Sequence, residues 1–265
     1  MKRCLIEQSC GLGDILLSLK VGNHCAEQGY KVTWPVEPIY ANLKNNIAVE
    51  GEIEFPCVTE EYELKNLYQN LSQREISNVT EIVDVPEIGN VLYVPLRRSF
   101  YSDSGIEMKK SYGSDACNML SKFGMCGLVH DNWQNHFSIN RNYQKEAELN
   151  KILGTEEADK IHLVNKEFGT PPRWREMLYR TIETPPGLKR IEMRIIDGYD
   201  LFDWIGIFER AQKIDTVTTA NFYIFEKINL QCIPTIYSKN NFDRSYEDNW
   251  GWMEKLAAKK YNFVN

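Results

Sequence analysis

Ser9-Cys10-Gly11-Leu12-Gly13-Asp14 stands between an apolar run, Cys4-Leu5-Ile6, and a helical pattern carrying Ile15, Leu16, Leu17, Leu19, Val21 and Cys25. A strand that ends on two glycines and passes into an amphipathic helix leaves few architectures open. Glycine lets the chain turn sharply and brings its backbone close to another molecule. The first helical turn then presents N–H groups with no intrahelical acceptor, which suits an anion. Phosphate is the first ligand class to consider, although the same turn also opens α/β folds that bind nothing there.

The alternation continues along the chain. Lys31-Val32-Thr33-Trp34 follows Gln28-Gly29-Tyr30, with Gly29 placed as a helix C-cap, which predicts a parallel β-α-β unit. Further strands are expected at 53–55, 82–85 and 91–94, and helices over 39–46, 60–72 and 114–123. The polar stretch from Pro95 to Gly113, with Arg97 and Arg98, reads as a long loop beside the sheet. A charged helix over 143–153 ending at Gly154 closes the first half. The second half restarts with a strand at 160–165, a helix over 173–182 after Pro171-Pro172, and a strand at 188–196. A helix over 201–212, a strand at 214–217, a helix opened by Thr218-Thr219-Ala220-Asn221, a strand at 232–237 and a closing helix over 248–260 follow. The expected architecture is α/β: two Rossmann-like domains with parallel sheets facing across a cleft. The N-terminal domain takes residues 1–154 and the C-terminal domain 155–265, its last helix able to pack back on the first.

Composition narrows the class of partner. The 265 residues carry 31 basic and 37 acidic side chains, net charge -6, with no long run of one sign, which disfavours broad nucleic-acid binding. No apolar stretch approaches the roughly 20 residues that span a bilayer, and the start Met1-Lys2-Arg3 runs into Glu7 and Gln8 unlike a signal peptide, so a cytoplasmic protein is expected. Seven scattered cysteines without Cys-x-x-Cys spacing point to reduced thiols. His24, His130, His136 and His162 are dispersed and no Asp-x-Asp is present, so no protein-held metal is expected.

Three features would point into such a cleft: Gly11-Leu12-Gly13-Asp14; Asn165-Lys166, just past the first strand of the second half; and Thr218-Thr219 at a helix start, where hydroxyls and N–H groups make a phosphate seat. Helix capping by the threonines and a solvated surface lysine at 166 are the plainer alternatives.

Gly11-Leu12-Gly13-Asp14-Ile15-Leu16-Leu17-Ser18, together with Leu201-Phe202-Asp203, the run Ala211 to Thr219 and Cys232-Ile233-Pro234, resembles the two ends of heptosyltransferase-like glycosyltransferases of the GT-B fold. The resemblance implies transfer of a sugar from a nucleotide-diphosphate sugar to a hydroxyl, with inversion and without a bound metal or other cofactor. It implies Asp14 as the general base that takes the acceptor proton. Gly11, Gly13, Lys166, Thr218, Thr219 and Asn221 would meet the donor, with Lys166 and the threonines stabilising the diphosphate. Apart from the resemblance, Arg97 and Arg98 could steady an anionic acceptor or donor, with ordinary surface arginines the plainer account. Asn221, Phe222 and Tyr223 stand where the family has a histidine after its Thr/Ser turn. Two other functions fit the same residues. One is an NAD(P)-dependent oxidoreductase, with Glu37 near the position of a ribose-binding acid but no third glycine. The other is a nucleotide- or sugar-binding module without turnover.

Overall fold

The computed structural model describes residues 1–73, 80–101, 114–156, 160–170, 174–238, 253–254 and 256–264. The chain forms two compact units, Met1–Ser138 with Asp248–Leu256, and Ile139–Glu247 with Ala257–Asn265. The division falls before the charged helix of residues 143–152, which therefore belongs to the second unit rather than to a first domain ending at 154.

In the first unit β1 (Lys2–Ile6) leads to α1 (Leu12–Glu27) and β2 (Tyr30–Thr33), then α2 (Leu43–Asn46), β3 (Ile47–Ala48) and β4 (Ile53–Glu54). After α3 (Lys65–Gln73) come β5 (Glu81–Val85), β6 (Gly89–Val94) and α4 (Ser114–Gly124). The sheet order is β4-β2-β1-β6-β5, parallel except for β5, which pairs antiparallel with β6 at the edge. Cys4, Leu5 and Ile6 are all inaccessible to solvent, as a central strand covered on both faces requires. Leu5 packs with Val91 and Tyr93 against Leu64, Leu67 and Leu71. Cys4, on the opposite face, shares a thiol hydrogen bond with Cys25 of α1. Gly22 lets α1 sit close, since a β-carbon there would stand 2.9 Å from Ile53 Cδ1 and 3.1 Å from Trp34. The Trp133 indole N–H donates to the Leu256 carbonyl at 2.9 Å, within this same unit.

After β7 (Ser138–Ile139), the second unit contains α5 (Tyr143–Ile152), β8 (Ile161–Asn165), β9 (Glu167–Thr170), β10 (Trp174–Met177), β11 (Lys189–Glu192), α6 (Ile205–Arg210), β12 (Ala211–Val217), α7 (Asn221–Phe225), β13 (Thr235–Tyr237) and β14 (Asn262–Val264). Its sheet order is β11-β8-β12-β13-β14, parallel throughout. A mixed α/β architecture with parallel sheets is thus present in both units, consistent with Rossmann-like folding.

Several elements differ from the sequence expectation. The helix expected over 173–182 is β10, which turns back antiparallel on β9 with Trp174 opposite Thr170 and Met177 opposite Glu167. Leu178 and Ile182 are spaced as on a helix, but they lie outside any helix and are buried by packing with Val164, Phe168 and Val217. The helix over 201–212 gives way to strand at Ala211, and the strand expected from Cys232 begins only at Thr235, after Pro234. Beyond the helical residues 253–254 and 256 the chain ends in β14, which sequence periodicity did not signal. Cys4, Cys10, Cys25, Cys57, Cys126 and Cys232 form no disulfide. No helix among the described residues is long and apolar enough to cross a membrane.

The centre of the second sheet is charged. His162 Nε2 lies 2.6 Å from Asp215 Oδ2, Lys213 Nζ lies 2.8 Å from the same oxygen, and the Tyr237 hydroxyl donates to Oδ1 at 3.0 Å. The other ring nitrogen of His162 meets Thr184 Oγ1 at 2.9 Å. Burial pushes the Asp215 carboxyl up, but its bonds to His162, Lys213 and Tyr237 outweigh that and hold it below the ordinary value. Burial and Asp215 push the Tyr237 hydroxyl up to about 12. Removing one member of a buried ionic cluster leaves the others unpaired. Asp215→Ala should therefore cost about 3–5 kcal/mol at neutral pH, measured by urea denaturation. Because the native carboxyl titrates below the unfolded value of about 3.9, this stabilisation is complete above that pH and is lost as pH falls through the native value. The gap between wild type and variant should narrow at pH of about 3.

Candidate functional site

In an open α/β sheet a crevice forms outside the carboxyl ends of two neighbouring strands whose connections leave in opposite directions. In the first unit β1 and β6 are neighbouring inner strands, and the segments leaving their carboxyl ends are Glu7 to Gly11 and Pro95 to Arg98.

Gly11 is the N-cap of α1 with φ 78°, a left-handed conformation that favours glycine. A β-carbon at this position would stand 2.5 Å from Asp14 Oδ2, so the Asp14 carboxylate folds back over the glycine. The first turn of a helix favours a carboxylate electrostatically, and here a second contact fixes it. Lys122 Nζ, on α4, lies 3.1 Å from Asp14 Oδ1 and donates to Gln8 Oε1 at 2.5 Å and to the Leu96 carbonyl at 3.4 Å. The Lys122 side chain is 2% exposed and that of Asp14 30%. Gln8 Nε2 donates to the Cys10 carbonyl at 2.6 Å, and the Trp34 indole N–H to the Gln8 carbonyl at 3.0 Å. The glycine turn is therefore braced from below. Gly13 is buried within the first turn of α1.

Arg97 and Arg98, paired in the sequence as acceptor ligands, part company. Arg97 is exposed, and its backbone N–H donates to the Glu7 carbonyl at 2.9 Å. Arg98 turns inward: Nε lies 3.4 Å from Glu7 Oε2 and an Nη donates to the Leu71 carbonyl at 3.3 Å. Glu7, almost wholly buried, also accepts from the Tyr93 hydroxyl. Burial pushes the Tyr93 hydroxyl well above its ordinary value, and Glu7 adds to the rise. Tyr68, beside Ser9, is likewise raised by burial and by Glu7, with Ser9 and Arg97 opposing. Arg98 is spent on a buried carboxylate, so it is a structural cation rather than an acceptor ligand. Glu37 is mostly buried after β2, and its backbone N–H donates to the Ser9 carbonyl at 2.9 Å.

In the second unit the corresponding strands are β8 and β12. Asn165 closes β8, and its Nδ2 lies 3.3 Å from Thr216 Oγ1 and 3.5 Å from Thr219 Oγ1. Asn221 Nδ2 donates to Thr216 Oγ1 at 3.1 Å and approaches Met193 Sδ at 3.5 Å. Lys166 follows β8 directly and is half-buried, its carbonyl accepting from the Leu178 N–H at 2.8 Å. Thr218 and Thr219 do not open the helix as expected: α7 begins at Asn221 and spans five residues. The Thr218 hydroxyl and N–H both donate to the Tyr237 carbonyl, at 2.9 and 3.0 Å, because β12 must be joined to β13 at its end. Thr219 Oγ1 accepts from the Asn221 N–H at 3.4 Å. Asp203, part of the family-like motif, completes a capping box with Asp200, accepting from its N–H at 2.9 Å, and so has a local structural task.

Sequence reasoning singled out Asp14 and the glycines but missed Lys122, Gln8 and Glu7. A lysine spaced among Met119, Leu120 and Phe123 of an amphipathic helix is the one local signal that could have drawn attention. Among the described residues, no group of three or more His, Cys, Asp or Glu is arranged to hold a metal ion.

The double demand on Gly11 is testable. Gly11→Ala should destabilise by about 1–2 kcal/mol from the left-handed backbone alone, with a further loss from the clash with Asp14. In an Asp14→Ala background only the backbone part should remain, as read from the difference in urea midpoints. No family model, characterised protein or solved structure matches the chain.

Proposed function

We propose that the chain is a metal-independent, inverting glycosyltransferase that moves a sugar from a nucleotide-diphosphate sugar to a hydroxyl of a glycan or similar acceptor. The observation that carries this reading is the Asp14 carboxylate, held over Gly11 at the start of α1 and anchored on Lys122, at the carboxyl end of β1. In the reaction the acceptor oxygen attacks the anomeric carbon and its proton passes to Asp14. The bond to the diphosphate breaks with its electron pair leaving on the phosphate oxygen. Attack opposite the leaving group inverts the centre, so one well-placed carboxylate suffices.

The donor would lie at the carboxyl ends of β8 and β12. The Thr218 hydroxyl hydrogen is committed to Tyr237, so the diphosphate would rely on Lys166 and on the backbone between Val217 and Asn221 rather than on that hydroxyl. Asn165 and Asn221 would brace this turn from beneath. The exposed Arg97 is the arginine left for the acceptor.

A second reading has one observation in its favour. Glu37 is buried beside the glycine turn, where a dinucleotide-binding fold keeps the acid that bonds a ribose hydroxyl.

Thermal melting against UDP-, GDP- and ADP-sugars and against NAD(P) separates the two. A matching ligand at a hundred times its Kd stabilises by about 2.7 kcal/mol. The transferase reading expects this from a nucleotide sugar, and a response to NAD(P) alone would replace it with the dinucleotide reading. Asp14→Asn should retain donor binding while transfer falls by about 100- to 10,000-fold. Transfer at the wild-type rate would remove Asp14 from the mechanism, and donor binding without wild-type transfer would leave a binding module.

A further inference from the structure

The Lys122 ammonium has three N–H donors, and three oxygens surround it: Gln8 Oε1 at 2.5 Å, Asp14 Oδ1 at 3.1 Å and the Leu96 carbonyl at 3.4 Å. These oxygens come from the end of β1, the first turn of α1 and the end of β6, while the lysine itself comes from α4. With its side chain 2% exposed, the ammonium depends on these partners, since a buried charge without them is strongly disfavoured. Its donors are all engaged, so a phosphate could reach it only by displacing one of them. That removes the usual task of a lysine in a phosphate site.

We infer that Lys122 is the positioning residue of this site: it fixes the Asp14 carboxylate directly and the glycine turn through Gln8, whose amide passes the constraint on to the Cys10 carbonyl. One oxygen of Asp14 is held by the lysine, while the other lies over Gly11 and is not engaged by Lys122. The pair therefore selects which oxygen faces the acceptor. This assignment rests on the proposed transferase chemistry for its effect on rate, but the ion pair has consequences for stability that do not.

The test is Lys122→Met, which keeps the length of the aliphatic stem and removes the ammonium. In steady-state transfer with a donor identified by melting, kcat should fall on the order of 100-fold, as for a misplaced reacting group, while the donor KM stays within about twofold because the donor contacts proposed above, Lys166 and the backbone from Val217 to Asn221, belong to the second unit. Should Lys122→Met fail to fold, Lys122→Gln, which retains N–H donors for Gln8 and Leu96, should show the same split. An unchanged kcat, or a loss confined to KM, overturns the inference. If the wild type transfers nothing from any nucleotide sugar, the transferase reading fails, and a melting cycle still decides the pair. Lys122→Met or Lys122→Gln should lower the Tm less in an Asp14→Asn background than in the wild type. Additive Tm losses would show that Lys122 does not hold Asp14.

Discussion

A buried ammonium cannot be left partly satisfied, and the first unit is arranged around one. Lys122 draws its oxygens from Gln8, Asp14 and Leu96, so the ends of β1 and β6, the start of α1 and the side of α4 must meet at one point. Gly11 follows from this demand. The carboxylate that pairs with Lys122 occupies the space a β-carbon would take at residue 11. The glycine turn is thus as much a consequence of the ion pair as of any ligand. Beside it, Glu7, Arg98 and Tyr93 settle a second buried charge with their own partners.

The second unit uses buried charge differently. His162, Lys213, Asp215 and Tyr237 meet in the middle of β8, β12 and β13, where they join strands. Its strand ends are braced by neutral groups: Asn165, Thr216, Thr219 and Asn221. An amide and hydroxyl network holds a turn without placing a fixed charge beside it, which leaves the turn's backbone suited to a negatively charged ligand.

Local pattern carried the strands and helices that could be read in advance. The β1-turn-α1 unit was legible because apolar run, glycines and helical periodicity follow one another within 25 residues. The β10 hairpin was not, because Leu178 and Ile182 have helical spacing yet are buried by packing with Val164, Phe168 and Val217 outside any helix. β14 escaped because three residues are too few to show a period. In the site, Asp14 was visible from its neighbours, whereas Lys122 and Glu7 acquire meaning only from residues distant in sequence. Arg97 and Arg98 look equivalent in sequence, and only burial against Glu7 tells them apart. The sequence reading offered the Thr218 hydroxyl to a phosphate because its acceptor, the Tyr237 carbonyl, lies on another strand.

The proposed function turns on a nucleotide sugar that binds at the carboxyl end of the second sheet. Backbone hydrogen exchange with and without a saturating nucleotide sugar tests this most directly. Slowed exchange in residues 217–222, with the edge strand β14 unaffected, is the result expected. Saturable binding that leaves residues 217–222 unprotected, or protects β14 instead, would contradict it.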